Sequence, residues 1–218
     1  FIEGALVAEE GKYLPEIKKC DISSVKGSVI VKDFSKEKFK MNLKSNKVNV
    51  IKILPGGVVT AKDTAEIELD ANGEFVRNPE VDLVKVAVVE RHQGTGNVAC
   101  GFLKGYGIKE GAVALSVAHD SHNIIVVGVN DEEMEFAVNS LIEQEGGIVL
   151  VKEGKVIESM PMPIAGLMSD QSGEWVDQKL TDIHEKAYEE LGICGDVEPV
   201  MTLCFMSLAV IPEIKLTD

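Results

Sequence analysis

Short apolar runs separated by glycine- and proline-containing turns make up most of the first half of the chain. Residues 47–54 and 58–61 flank Pro55-Gly56-Gly57, which predicts a hairpin, and Asn72-Gly73 marks a second tight turn. The same signals predict further strands at residues 83–89, 112–118, 124–129, 148–151 and 156–157.

Two later stretches have the spacing of apolar residues that is typical of an amphipathic helix. The first follows Asn130, a suitable N-cap, and stops at Gly146-Gly147. Its apolar face consists of Met134, Ala137, Val138, Leu141 and Ile142. The second covers residues 173–191, with a stripe of Val176, Leu180, Ile183, Ala187 and Leu191. A last apolar run, residues 201–210, is predicted to be a strand.

This order of elements favours an α+β fold, with mixed β-sheets and the two amphipathic helices packed on them. The pattern changes near residue 46. We therefore expect a strand-and-loop segment with a few edge strands over residues 1–46 and a compact main domain over residues 47–218. The proline- and methionine-rich stretch at residues 160–170 is either a packed connector or a flexible wall for a pocket or partner.

Charge and cysteine content narrow the class of protein. Thirty-six acidic residues against 22 basic ones give a formal charge of −14, which repels nucleic-acid phosphates and anionic lipids. No apolar run approaches the roughly 20 residues of a membrane span. The four cysteines are widely spaced, as in reduced thiols of a cytoplasmic protein. We therefore expect neither nucleic acid nor membrane as a partner.

The densest polar chemistry lies at residues 119–123, which read His119-Asp120-Ser121-His122-Asn123. Imidazoles bind divalent metals and transfer protons near neutral pH, and a carboxylate can orient one of the rings. In an extended strand the two histidines would point to opposite faces, so their rings converge only if Asp120 and Ser121 form a turn. A polar turn with one hydrogen-bonded histidine remains the plainer alternative.

Arg91 and His92 directly follow the predicted strand at residues 83–89. They meet the 119–123 stretch if their two strands are neighbours, and are otherwise a surface pair. His184 lies beside the stripe of the second helix and is predicted to be a solvated flank residue. The glycines at residues 94–96 and 101–107 miss the spacing of a dinucleotide loop, which favours plain turns over a phosphate site.

Signatures of a complete hydrolase are missing from the sequence. There is no Gly-x-Ser-x-Gly elbow, and neither His-x-His nor His-Glu-x-x-His occurs. The chain also begins at Phe1 rather than methionine. We therefore expect a part of a longer protein.

Several strings, in order, resemble the C-terminal region of bacterial and archaeal adenine deaminases of the amidohydrolase superfamily. The resemblance covers residues 47–218, and residues 1–46 resemble the segment that follows the catalytic barrel of that family. The strings are Glu90-Arg91-His92 with Thr95-Gly96, Gly101-Phe102-x-Lys104-Gly105, residues 118–123, residues 163–170 and residues 210–218.

The resemblance implies a function for the intact protein. Such enzymes hydrolyse adenine to hypoxanthine and ammonia in purine salvage, with a divalent metal, manganese or iron, that activates water in the barrel. The barrel and its metal ligands are not in this sequence, so no residue here is assigned to the metal. The implied partners are the protein's own N-terminal barrel, adenine and further copies in a homo-oligomer.

Three hypotheses follow. In the first, this region covers or completes the active site of the barrel. His119, Asp120 and His122 then have supporting catalytic roles, and Arg91, His92, Ser121 and Asn123 contact substrate or hold those residues in place. In the second, the region is a docking or oligomerisation module without catalytic residues. In the third, it is a free-standing metal hydrolase.

Overall fold

The computed structural model describes residues 1–217 and is built around one large β-sheet. The strands are β1 (Ala8–Glu9), β2 (Lys12–Tyr13), β3 (Lys47–Ile53), β4 (Thr60–Glu66), β5 (Glu68–Leu69), β6 (Phe75–Val76), β7 (Leu83–Val89), β8 (Val98–Lys104), β9 (Ala112–Leu115), β10 (Ile124–Gly128), β11 (Gly147–Lys152) and β12 (Lys155–Pro161). The α-helices are α1 (Asp131–Glu143), α2 (Gly173–Glu189) and α3 (Pro199–Cys204), and short 3-10 turns cover Ser23–Val25 and Lys36–Phe39.

Eight of these strands form a mixed sheet in the order β12-β11-β9-β10-β7-β8-β3-β4. Its neighbouring strands are antiparallel except for β3 and β8, which are parallel. The predicted α+β class, a mixed sheet with two main amphipathic helices packed on it, is confirmed.

The sheet is buried on both faces, which explains the unbroken apolar run of β7. Val84, Val86 and Val88 point into a core that also contains Ile183 of α2 and Leu203 of α3. Ala87 and Val89 point to the other face, where α1 contributes Met134, Ala137, Val138 and Leu141. Alternate residues of one strand therefore serve two cores.

Both predicted amphipathic helices are present and begin at side-chain caps. The Asn130 side chain accepts a hydrogen bond from the Glu133 N–H at 2.7 Å, and Ser172 does the same for Trp175 at 3.3 Å. Each cap satisfies a backbone donor that the first turn of a helix leaves free. Of residues 1–217, no helix has both the length and the apolar content needed to cross a bilayer.

The strand predicted at residues 201–210 is wrong. The chain forms the short helix α3 there, because the Glu198 side chain accepts from the Met201 N–H and Pro199 occupies the first turn. An apolar run of this length does not by itself distinguish a buried helix from a buried strand.

Residues 1–46 hold less regular structure than the rest. The two short strands of this segment, β1 and β2, pair with each other and do not extend the main sheet, so the few edge strands expected here form a separate small sheet. Phe39 nevertheless lies fully buried in the core on the α1 face. The domain boundary at residue 46 stays a prediction.

The pairing of β7 with β10 sets up the edge of the sheet where the polar residues gather. Val89, the last residue of β7, lies opposite Ile124, the first residue of β10. Because the strands are antiparallel, residues 90–92 and 119–123 leave the sheet at the same edge.

Candidate functional site

The polar stretch between β9 and β10 folds back on itself, and we call residues 119–122 the histidine turn. The chain turns at residues 119–121, and the ring centroids of His119 and His122 lie 5.4 Å apart. The His119 ring also lies 4.8 Å from the ring of Phe205, just after α3. The convergence that the sequence made conditional on a turn is therefore confirmed.

Neighbouring segments hold the backbone at the start of this turn. The His119 N–H donates to the Cys204 carbonyl at 2.8 Å, and the Ser207 hydroxyl donates to the His119 carbonyl at 3.4 Å. Within the turn, the His122 N–H donates to the Ala118 carbonyl at 2.6 Å. The end of α3 thus fixes one side of the turn.

Arg91 fixes the other side and is only 1% exposed. Its Nε donates to the His122 carbonyl at 2.5 Å, Nη2 donates to the Ala165 carbonyl at 3.1 Å, and Nη1 donates to the Ser28 carbonyl at 3.4 Å. Burial lowers the pKa of the guanidinium. The side chain therefore joins three separate segments through carbonyl oxygens.

Residues 163–168 pack against the Arg91 guanidinium. Gly166 has a φ of +71°, and a Cβ at this position would lie 2.8 Å from Arg91 Nη1. The Gly166 carbonyl accepts from the buried Ser116 hydroxyl at 2.5 Å. Of the two interpretations left open for this stretch, the contacts favour the packed connector, although Met168 is 58% exposed.

Glu90 organises the loop that carries His92. The carboxylate is buried and accepts hydrogen bonds from the N–H groups of His92, Gln93 and Thr95 at 2.5, 2.8 and 2.9 Å, and from the Thr95 hydroxyl at 2.9 Å. Burial acts to raise the pKa of Glu90, but these hydrogen bonds outweigh it and lower the pKa to about 2.

His92 connects that loop to the histidine turn. Its Nε2 lies 2.7 Å from the Ser121 carbonyl oxygen. Because a carbonyl only accepts, Nε2 must carry the proton in this contact. Because β7 and β10 are neighbours, Arg91 and His92 meet residues 119–123, which is one of the two arrangements that the sequence left open.

The turn therefore has a fixed backbone and accessible side chains. Asp120 and Ser121 are exposed, as is the neighbouring His92, while His119 and His122 are half-buried. Burial is the largest cause that lowers the pKa of His122, and the nearby His119 and Arg91 lower it further. This ring is therefore mainly neutral at pH 7. Its Nδ1 is buried and has no hydrogen-bond partner among residues 1–217.

The remaining candidates divide between structural and surface positions. Asn123 is 3% exposed, and its Oδ1 accepts from the Arg91 N–H at 3.3 Å. His184, predicted to be a solvated flank residue, is instead half-buried and contacts the Glu198 carboxylate. Glu90 stands in the sequence only as the start of a string, and its hydrogen bonds to the loop were not predicted. An acidic residue at the end of an apolar strand, four positions before a Gly-Thr-Gly turn, is the signal that could have identified it.

The donor groups of this chain do not make a complete metal site. Within residues 1–217 no three His, Cys, Asp or Glu side chains are placed to hold one ion. Protein zinc sites use at least three such ligands. No metal ligand is therefore assigned to the histidine turn.

One cavity lies away from this edge of the sheet, beyond the other end of β10. It has a volume of about 470 Å³ at the N-terminus of α1. Its charged walls are largely paired with each other, as in Lys85 with Asp131 at 2.7 Å and Lys36 with Glu132 at 2.8 Å. The geometry therefore favours the histidine turn over this cavity as the candidate site.

Comparison with known proteins gives a consistent family. The family model described as "Adenine deaminase C-terminal domain" matches residues 57–218. Over its whole length the chain is 66% identical to adenine deaminase 2 of Desulfotalea psychrophila, 47% identical to adenine deaminase of Ligilactobacillus salivarius and 40% identical to adenine deaminase of Bacillus pumilus. In each case it spans 38% of the length of the relative.

Proposed function

The chain belongs to the adenine deaminase C-terminal domain family, and we propose that it supports the hydrolysis of adenine to hypoxanthine and ammonia as the C-terminal region of such an enzyme. The observation that carries this proposal is the histidine turn. Its backbone is fixed by Arg91, His92 and Ser207, while the side chains of its own residues stay accessible. A fixed backbone with accessible ionisable groups is what a preorganised site requires.

In this proposal, His119 and His122 move protons for the reaction. Ammonia leaves only after the exocyclic nitrogen is protonated, and an imidazole that is mainly neutral at pH 7 can accept and return a proton. The lowered pKa of His122 keeps its ring in the neutral form, which is the form that accepts a proton. Asp120 lies between the two histidines in sequence and is exposed, so it is placed to orient a ring or a substrate group.

Four other candidates surround these groups. Ser121 and His92 lie at the surface and are proposed to contact the substrate or the neighbouring barrel. Arg91 and Asn123 are buried and are proposed to hold the turn in place. The proposal places the manganese or iron ion in the barrel, since the described side chains of this chain do not fit a metal site.

The wider setting is also part of the proposal. We place the intact enzyme in the cytoplasm, in purine salvage and in a homo-oligomer. The four cysteines are free thiols, which is in keeping with a reducing compartment.

The test is a His119→Ala substitution in the intact deaminase. We expect kcat for adenine to fall about 100-fold, the scale on which general acid–base groups contribute, with a melting temperature close to that of the unmodified enzyme. His184→Ala on α2 is the matched control, because it removes a histidine outside the turn. Equal kcat in the two variants, at equal folded fraction, would refute the proposal.

A docking or association module is the second candidate, and one observation favours it. The first residues of the chain expose large apolar side chains, among them Phe1 at 85%, Ile17 at 77% and Tyr13 at 57%. Exposed apolar groups of this size are typical of a surface that another structure covers. On this alternative, single substitutions in the histidine turn leave kcat unchanged.

A further inference from the structure

We infer that Glu90 is a positioning residue for the histidine turn and that it acts through His92. The inference rests on the proposed function, because it concerns how the same turn is held for catalysis. Three links carry it: a buried carboxylate that fixes a loop, an imidazole on that loop, and a carbonyl of the turn that the imidazole contacts.

The first link is the set of hydrogen bonds between Glu90 and the loop that follows β7. Oε1 accepts from the N–H groups of His92 and Gln93, and Oε2 accepts from the N–H and the hydroxyl of Thr95. The Glu90 N–H in turn donates to the Asn97 carbonyl at 3.1 Å. Both ends of the loop are thereby bound to one residue that is 6% exposed.

The second link is that the position of His92 depends on those hydrogen bonds. The side chains of His92, Gln93 and Thr95 are all exposed. Other segments contact the loop at its glycines, where Gly94 lies beside Ile30 and the Gly96 carbonyl accepts from Lys38 Nζ at 2.6 Å. At residues 92 and 93 themselves, the backbone N–H groups are held by the Glu90 carboxylate. Bonds to a charged acceptor are stronger than those between neutral groups, which suits this task.

The third link passes from His92 to the turn. Nε2 of His92 donates to the Ser121 carbonyl at 2.7 Å, one residue before His122. Arg91 binds the next carbonyl, that of His122, at 2.5 Å. Consecutive carbonyls of the turn are thus held by two residues that directly follow Glu90.

A carboxylate is needed at residue 90 rather than an amide. Each carboxylate oxygen accepts two hydrogen bonds. In glutamine, one oxygen is replaced by an NH₂ group that would face two donors and could accept from neither. One side of the loop would then be released at unchanged side-chain volume.

The experiment is a double-mutant cycle in the intact deaminase with Glu90→Gln, His92→Ala and the combination. We expect each single variant to lower kcat/KM about tenfold, since small displacements of catalytic groups cost rates on this scale. The double variant is expected to be no worse than the lower single, because both break one chain of contacts. Glu185→Gln, an exposed glutamate on α2, is the control and keeps full activity.

Hydrogen exchange at residues 119–123 gives a second readout that does not depend on activity. We expect faster exchange there in Glu90→Gln and His92→Ala, and unchanged exchange in Glu185→Gln. If Glu90→Gln does not fold, Thr95→Val replaces it, because this change removes one donor to the same carboxylate. It is expected to give smaller changes in the same direction.

The outcomes separate this inference from the proposed function. Losses that multiply in the double variant, or unchanged exchange in the histidine turn, would overturn the role of Glu90. If His119→Ala lowers kcat and Glu90→Gln does not, this inference fails while the proposed function stands. If His119→Ala has no effect on kcat, the proposed function fails, and the exchange measurement alone decides whether Glu90 positions the turn.

Discussion

The backbone of His122 is fixed by hydrogen bonds on both sides, while its ring can change its protonation state. Its N–H donates to the Ala118 carbonyl, and its own carbonyl accepts from Arg91 Nε. Its φ of 53° is in the left-handed region, which costs a residue with a side chain about 1 kcal/mol and persists only when surrounding contacts enforce it. The contacts on both sides therefore hold the half-buried ring in a set place.

The lowered pKa of His122 leads to a pH-dependent stability. The folded state favours the neutral ring, so an unfolded chain with an ordinary value of 6.5 binds the proton first as the pH falls. The stability that this ring contributes is present above pH 6.5 and is lost as the pH falls through its lower folded pKa. NMR titration should place the His122 midpoint below 6.5.

Urea unfolding provides the matching thermodynamic measurement. His122→Gln should weaken the loss of stability between about pH 7.5 and about pH 5.5, the range in which histidine titrates. His184→Gln is the control for removing an imidazole elsewhere in the chain. A His122 midpoint at or above 6.5 would contradict the prediction.

At the scale of elements, the site depends on loops packed against a rigid sheet. β7 and β10 present residues 90–92 and 119–123 at one edge, and the 163–168 loop closes over Arg91. The glycine of this loop allows the guanidinium to approach its backbone. The loop and the turn are therefore coupled through one buried side chain.

Gly166→Ala tests this close approach. We expect the free energy of unfolding to fall by about 2 to 3 kcal/mol, since the added methyl group meets both an unfavourable φ and the Arg91 guanidinium. Gly154→Ala is a matched control, because Gly154 has a similar φ of +67° with no atom within 4 Å of the added Cβ. Its cost should be about 1 kcal/mol, from the backbone alone.

Urea denaturation of both glycine variants separates the two contributions. A larger loss for Gly166→Ala measures the steric conflict with Arg91. Equal losses would show that the guanidinium moves without cost, and the proposed packing of the loop would then be wrong.

At the scale of the whole molecule, the central sheet is covered by helices, whereas the first residues of the chain are not covered. The sheet is covered on one face by α1 and on the other by α2 and α3. Residues 1–17, by contrast, leave apolar side chains in solvent, with Ile17 77% exposed. We expect this surface to pack against the remainder of the polypeptide in the intact enzyme.

Ile17→Glu tests that packing. In this chain alone the free energy of unfolding should change by less than about 0.5 kcal/mol, as for other exposed positions. In the intact deaminase, the melting temperature should fall, because a buried carboxylate would lack a partner. Lys18→Glu, which adds a carboxylate at the neighbouring exposed position, is the control. Equal melting temperatures for the two variants would count against the contact.

Much of the fold was predictable because local signals agreed with the tertiary structure. Alternation and tight turns identified β3, β4 and the β11–β12 hairpin, and apolar spacing with a side-chain cap identified α1. The prediction of a strand at residues 201–210 was wrong because the helix that forms there depends on a cap from Glu198 and on burial against the sheet.

The sequence by itself determined the elements, the family resemblance and the residue types that make up the histidine turn. Periodicity, caps and turn residues act over a few neighbours, so they can be read along the chain. Only the tertiary structure decided that Arg91 binds three carbonyls, that Glu90 is buried beneath its loop and that the rings of His119 and His122 converge. Those features depend on strand order and register, which join residues far apart in sequence, and on backbone carbonyls, which every residue carries and no sequence pattern distinguishes.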